Sequence, residues 1–326
     1  MKIVVDTNGS DFGVESVING AIKAYEKEKY FISFVGEKDK IEKIIDFRLP
    51  KYDYEIINST EIINNNDEPV RAIRKKKNSS MVVAFNTLNL EGYDGLISQG
   101  STGAILACSM FITGRLNGVK RASIVANVPT RERKTIIIDP GANIDTKPEM
   151  LMDFARMGSI YCKTVFNVKN PRIGLLNIGI EEHKGNQLAR DTFAMLTKSN
   201  LNFIGNIEAR DILTDKVEVI VTDGFSGNIA IKSIEGTAIL LLSEIKKSIL
   251  SSKISKIGAF LIKDKLKELL SIYNLDKANA APVLGIKKPV FKCHGSSDSE
   301  GFAYAVGNLL DYIKKDVTKK LEGEFE

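Results

Sequence analysis

Short β-branched runs, most ending in glycine, aspartate or asparagine, recur along this chain and alternate with stretches of helical period. The runs are Ile3–Val5, Phe31–Val35, Tyr54–Ile57, Gly95–Ile97, Ser123–Val128, Thr135–Ile138, Arg172–Ile178 and Val217–Val221. Between many of them lie Val14–Glu28, Thr102–Leu116, Pro148–Thr164 and Asn186–Lys198. Strand alternating with helix implies crossover connections, which yield parallel strands covered by helices on both faces. Near-continuous apolar strands suit a sheet buried on both sides. The expected fold class is therefore α/β, a three-layer α/β/α arrangement around a mostly parallel, Rossmann-like sheet. No internal repeat is found, and residues 1–326 read as one domain.

One region breaks the alternation. Residues 229–275 are helical in pattern, with Gly236 and Gly258 the only obvious interruptions. That is longer than a crossover helix needs, and it predicts a helical hairpin projecting from the sheet before the chain returns through Val290–Lys292. Glu300–Leu321 reads as a closing helix. Cys108, Cys162 and Cys293 are odd in number and widely spaced, which disfavours a disulfide framework and points to a reducing, cytoplasmic setting. No stretch approaches the roughly 18 uninterrupted apolar residues of a membrane span. The N-terminal strand meets Asp6 too soon for a signal peptide. A net charge of +5 is too weak to argue nucleic acid.

In open α/β sheets, ligands bind beyond the carboxyl ends of the strands. Six small, polar turns sit at such ends: Asp6–Asp11, Ser98–Gly103, Asp139–Asn143, Glu182–Asn186, Asp223–Asn228 and His294–Asp298. Several open into helices, whose free N–H groups attract anions. Each alone is better explained by helix capping; six together favour a site. The chain lacks a Gly-Lys-Ser/Thr phosphate loop, a Gly-x-Gly-x-x-Gly turn after its first strand and a Gly-x-Ser-x-Gly elbow. His183 and His294 are the only histidines and have no metal-ligand spacing. Cys293 and His294, adjacent on a strand, point to opposite faces, so Cys293 is assigned to the core.

The turns carry a specific resemblance. Asp6-x-x-Gly9-x-Asp11, Asp67–Arg74 through Met81, Ser101–Ala104, Asp139-x-Gly141-Ala142-Asn143-x-Asp145-x-Lys147-Pro148-Glu149, Pro171–Gly179, Lys184-Gly185-Asn186, Phe203–Asp211, Asp223–Asn228 and His294–Asp298 run in order across nearly the whole chain. Together they resemble the bacterial phosphate acyltransferases of phospholipid synthesis, the PlsX family. Departures occur at Thr7-Asn8-Gly9-Ser10, where Ala-Met-Gly-Gly is usual, and at Phe12-Gly13-Val14, where the family has His-Ala-Pro. Ser101 replaces an Asn, and Ala280-Ala281 replace two glycines.

The resemblance implies a phosphotransacetylase- or isocitrate-dehydrogenase-like fold. It implies transfer of a fatty acyl group from acyl carrier protein to inorganic phosphate, with neither metal nor cofactor. A related enzyme using acyl-coenzyme A, and a non-catalytic membrane or carrier-protein scaffold, are the competing readings. Phosphate attack on a thioester needs a held dianion, a stabilised oxyanion and a departing thiolate. Lys184, His294 and Asn228 are the expected catalytic groups. Gly100, Ser101, Thr102, Gly103, Asp139, Asn143, Gly185, Asn186, Asp223, Gly224, Ser226, Gly227, Gly295, Ser296 and Ser297 are expected to bind phosphate or acyl group. Lys184 also reads as a solvated helix-start lysine, and His294 as a structural histidine.

Between Lys246 and Lys267 seven lysines meet one aspartate, beside an apolar helical surface. Such a surface is usually core or dimer interface, yet lysine-flanked apolar side chains also suit an anionic membrane. Lys253, Lys256, Ile257, Phe260 and Leu261 are the expected membrane contacts. The resemblance further implies a homodimer at the inner membrane face, near a downstream glycerol-3-phosphate acyltransferase. A basic face also suits the acidic acyl carrier protein.

Overall fold

The computed structural model describes residues 1–130, 134–266 and 280–326. Its strands divide between two sheets instead of filling one. The first contains β1 (Lys2–Asp6), β2 (Phe31–Gly36), β3 (Tyr54–Asn58), β4 (Gly95–Ser98), β5 (Ser123–Ile124), β11 (Ala280–Leu284) and β12 (Val290–Cys293), in spatial order β3-β2-β1-β4-β12-β11-β5. The second contains β6 (Ala126–Val128), β7 (Thr135–Ile138), β8 (Ile173–Asn177), β9 (Phe203–Glu208) and β10 (Val219–Val221), in order β6-β7-β10-β8-β9. Pairing is parallel except where β11 meets β12 and β5, and where β6 meets β7. The division falls inside the run Ser123–Val128. β5 pairs with β11 in one sheet and β6 with β7 in the other, with Val125 fully buried between them. An unbroken apolar run carries no mark of a change of sheet; the partner strands decide it.

The helices are α1 (Gly13–Lys27), α2 (Lys38–Ile45), α3 (Pro69–Lys75), α4 (Ser80–Leu88), α5 (Thr102–Cys108), α6 (Pro148–Val165), α7 (Gln187–Thr197), α8 (Gly224–Leu250), α9 (Lys253–Leu261), α10 (Ser299–Lys314) and α11 (Val317–Phe325). Alternation within β1 shows the layering. Ile3 and Val5 join a core that includes residues of α1, α6 and α10, while Val4 faces a second core with residues of α4 and α5. A third apolar cluster sets Ile137, Ile207 and Ile220 of the second sheet against Ala230, Ile231 and Ile234 of α8. α3 and α4 follow from local signals: Glu68 accepts from the Val70 and Arg71 N–H groups, and Ser79 from that of Val82. The expected closing helix is split at Asp316, whose φ of 52° is left-handed.

The helical excursion is present as α8 and α9, and its stretch 267–275 lies outside the described residues. α8 has 27 residues, and only Gly224 and Gly227, in its first turn, are buried. By length and composition alone it is long and apolar enough to cross a membrane, although no run within it reaches 18 uninterrupted apolar residues. Lys232, Glu235 and Glu244 interrupt that apolar surface, and the first turns of α8 are engaged by the loops described next.

Candidate active site

Three of the six turns meet at the carboxyl edge of the first sheet. Asp6 is buried; its carboxylate accepts the Ser98 hydroxyl at 2.7 Å and the Asn8 N–H at 3.3 Å. Burial raises its pKa above the ordinary carboxylate value. A Cβ on Gly9 would stand 2.5 Å from the Gly100 Cα, so these two loops touch backbone to backbone. The Gln99 side-chain amide donates to the carbonyls of His294, at 2.8 Å, and Ser297, at 3.0 Å. The Asp11 N–H donates to the Gly295 carbonyl at 2.9 Å. Ser101 precedes α5 without a side-chain capping bond. Thr102 and Gly103 open that helix, and Gly103 lies against Pro69.

The state of His294 follows from its partners. Its Nδ1 lies 2.6 Å from the Ser296 hydroxyl and accepts the Ser296 backbone N–H at 3.2 Å. A backbone N–H only donates, so Nδ1 is unprotonated and the neutral ring carries its proton on Nε2. Burial of the inner side, then the neighbouring Lys292 charge, push the pKa below 6.5. At neutral pH His294 is a hydrogen-bond donor through Nε2. Cys293 is buried in the core, and burial raises its thiol pKa, in agreement with its assignment.

Two further turns lock together on the second sheet. The Asp139 carboxylate accepts from the N–H groups of Gly141 (3.0 Å), Ala142 (2.7 Å) and Asn143 (2.7 Å), and from the Asn143 side-chain amide at 2.7 Å. Both oxygens are spent on the turn, so Asp139 organises the loop and is withdrawn as a phosphate contact. Asn143 also donates its side-chain amide to the Ala122 carbonyl. The Asp223 carboxylate caps α8 by accepting the Ser226 N–H at 2.8 Å, and the Gly224 N–H donates to the Asn143 carbonyl at 2.8 Å. The Asn228 side chain lies against Gly141, whose Cβ position is 3.3 Å away. In the remaining turn, Asn186 accepts the Ala189 N–H at 2.9 Å and caps α7, while the Asn177 amide holds the Lys184 carbonyl at 3.2 Å. The Lys184 stem passes over Gly179, and its ammonium enters no ion pair among the described residues. His183 is exposed.

An apolar groove of about 1080 Å³ runs from these loops along α8. At one end are Asn177, Gly185, Asn186, Asp223 and Ser226; from there it follows a stripe from Ile229 to Ile245. At 1.5 Å per residue that stripe is roughly 24 Å long. Lys184 precedes the lining by one residue. Ile229 and Ser233 also line a smaller cavity of about 350 Å³ with Asn228 and Lys232. Two parts of this arrangement escape the sequence reading: the groove-lining face of α8, read only as an excursion, and the hold of Gln99 on the His294 turn, made across two strand ends. The apolar spacing on α8 was a visible signal for the first; only tertiary packing supplies the second.

Residues 1–320 match the family described as fatty acid synthesis protein. A phosphate acyltransferase of Clostridioides difficile (strain 630) is 41% identical over 323 residues, covering 98% of this chain and 95% of that protein. Another, of Finegoldia magna, is 42% identical over 328 residues, covering 99% of both. The fold is similar to that of a phosphotransacetylase from Streptococcus pyogenes (TM-score 0.61, 17% identity, 96% of this chain and 94% of that one). It is also similar to a branched-chain phosphotransacylase from Enterococcus faecalis (TM-score 0.59, 12% identity, 96% and 99%). Matched along nearly its whole length, the chain belongs to the phosphate acyltransferases of the fatty acid synthesis protein family.

Proposed function

We propose that the chain transfers a long fatty acyl group from acyl carrier protein to inorganic phosphate, giving acyl phosphate for phospholipid synthesis. The observation that carries this reading is the sharing of Ile229 and Ser233 between the apolar groove and the smaller cavity that Asn228 and Lys232 also line. An acyl chain in the first and a phosphate in the second meet at one turn of α8. Each methylene buried in the groove contributes about 0.8 kcal/mol, which favours long chains over acetyl. A phosphate oxygen attacks the thioester carbonyl, and the thiolate, with a reference pKa of about 8.5, leaves with little acid assistance. Neutral His294 donates from Nε2 to the developing oxyanion or to phosphate, Asn228 adds an amide donor, and Lys184 supplies charge at the groove mouth.

The exposed apolar side chains of α8 and α9 support a homodimer and peripheral contact with the anionic inner membrane face, close to a glycerol-3-phosphate acyltransferase that consumes the product. The deciding experiment supplies long-chain acyl carrier protein or acyl-coenzyme A, with and without phosphate, and traps acyl phosphate with hydroxylamine. Phosphate-dependent product from the carrier protein supports the reading. Product from coenzyme A alone moves the donor, and no product from either overturns it.

A further inference from the structure

Gln99 ties one strand end to another. It lies between Ser98 and Gly100 in the turn after β4, and both neighbours are fixed. The Ser98 hydroxyl donates to Asp6 at 2.7 Å, and the Gly100 N–H donates to the Ser98 hydroxyl oxygen at 3.0 Å. The Gln99 side chain therefore leaves from a set point. It is 2% exposed, and its amide nitrogen donates to the carbonyls of His294 (2.8 Å) and Ser297 (3.0 Å) in the turn after β12. Its own amide oxygen is buried and accepts no hydrogen bond among the described residues. The reverse orientation would aim that oxygen at two carbonyl oxygens and leave the N–H groups unpaired, so the amide can face only one way. A buried acceptor without a partner is unfavourable; what offsets it here is the pair of bonds to the turn.

That turn is held along its length. The Ser297 N–H closes it by donating to the His294 carbonyl at 3.1 Å, and the Asp11 N–H donates to the Gly295 carbonyl at 2.9 Å. The carbonyls of His294, Gly295 and Ser297 thus all accept bonds, two of them from Gln99. Inside the turn, Ser296 brings its backbone N–H to within 3.2 Å and its hydroxyl to within 2.6 Å of the His294 Nδ1. A backbone N–H at Nδ1 excludes the tautomer that carries its proton there. The shape of the turn, through the place it gives Ser296, selects the tautomer of the ring.

We propose that Gln99 is a positioning residue for His294: by holding the carbonyls at both ends of the 294–297 turn it keeps the Ser296 N–H on Nδ1, and so keeps the imidazole proton on Nε2. Gln99 is itself buried and acts through the turn. The catalytic consequence rests on the acyl-transfer reading above, in which Nε2 is the donor; the tautomer does not.

The test compares wild type, Gln99→Met, His294→Ala and the double variant. It reads kcat, the KM for phosphate and for the acyl donor, thermal melting, and the tautomer by nitrogen NMR of the imidazoles, with His183→Gln separating the two histidines. Gln99→Met removes both donors and keeps an unbranched chain of similar length. It should populate the Nδ1-protonated tautomer of His294 and lower kcat about tenfold, with both KM values within roughly twofold of wild type. In the His294→Ala background the same change should cause no further loss of kcat, because its effect runs through the imidazole. A purely structural glutamine would lower kcat equally in both backgrounds, and that result overturns the proposal. So does a Gln99→Met protein that keeps the Nε2 tautomer and wild-type kcat. If Gln99→Met does not fold, Gln99→Asn, one methylene too short to reach both carbonyls, is read in the same way. A wild-type protein that forms no acyl phosphate sinks the reaction, and the tautomer comparison then still decides the role of Gln99.

Discussion

A Cβ atom on Gly227 would stand 2.0 Å from the carbonyl oxygen of Asp139. That approach seats the first turn of α8 on the Asp139 loop, which is itself tied to Thr222 by an N–H to carbonyl bond of 3.1 Å. Gly227→Ala should cost about 1–3 kcal/mol of stability, as overpacking does, and should lower acyl transfer by displacing Asn228. Thermal melting beside an activity assay checks both. An alanine variant that melts and turns over like the wild type would show the two elements to be free of each other.

Lys184 is partly exposed and its ammonium has no ion pair among the described residues, so its removal should leave melting unchanged. Lys184→Met should reduce kcat/KM roughly 10- to 100-fold, the loss of one charged contact. Lys184→Arg should restore part of it. Wild-type kinetics in the methionine variant would take Lys184 out of the site.

His294 should titrate below 6.5, because burial first and Lys292 second favour its neutral ring. A base whose folded pKa is depressed binds its proton more weakly when folded. Its contribution to stability is therefore complete above the unfolded value of 6.5. It declines as pH falls below that value and levels off below the folded midpoint. Imidazole NMR checks this, with His183→Gln assigning the second of the two histidines. His294→Ala should slow turnover less than loss of Lys184, since the thiolate needs little assistance to leave. A midpoint above 6.5 would contradict the neutral donor.

Ala238 lies on the groove stripe between Ile234 and Leu241. Ala238→Phe should obstruct the distal groove and lower the ratio of long-chain to short-chain kcat/KM, by about fourfold for each methylene excluded. Profiling donors of graded length measures it. A profile that does not shift would place the acyl chain elsewhere.

On α9, Ile257, Phe260 and Leu261 are 62%, 73% and 78% exposed, between Lys253, Lys256 and the lysines that follow. The protein should co-sediment with anionic vesicles at low salt and less at high salt, each lysine contributing about 1 kcal/mol. Phe260→Glu with Leu261→Glu should abolish the association. Wild-type protein left in the supernatant at low salt would assign this face to a protein contact.

The sequence by itself determined the alternation of strand and helix, the polar strand-end turns and the family. These are local: a β-branched run ending in Asp or Gly is written in consecutive residues, and so are the caps at Glu68, Ser79 and Asp223. Tertiary structure decided how the turns group. Asp139 looks like a ligand in sequence, but packing folds four donors onto its carboxylate. Gln99 is an ordinary polar residue in the sequence; tertiary packing brings the carbonyls of His294 and Ser297 to its amide. The break at Val125 is of the same kind, because a strand's sheet is set by the partner that satisfies its backbone, and for β5 that partner, β11, lies far along the chain.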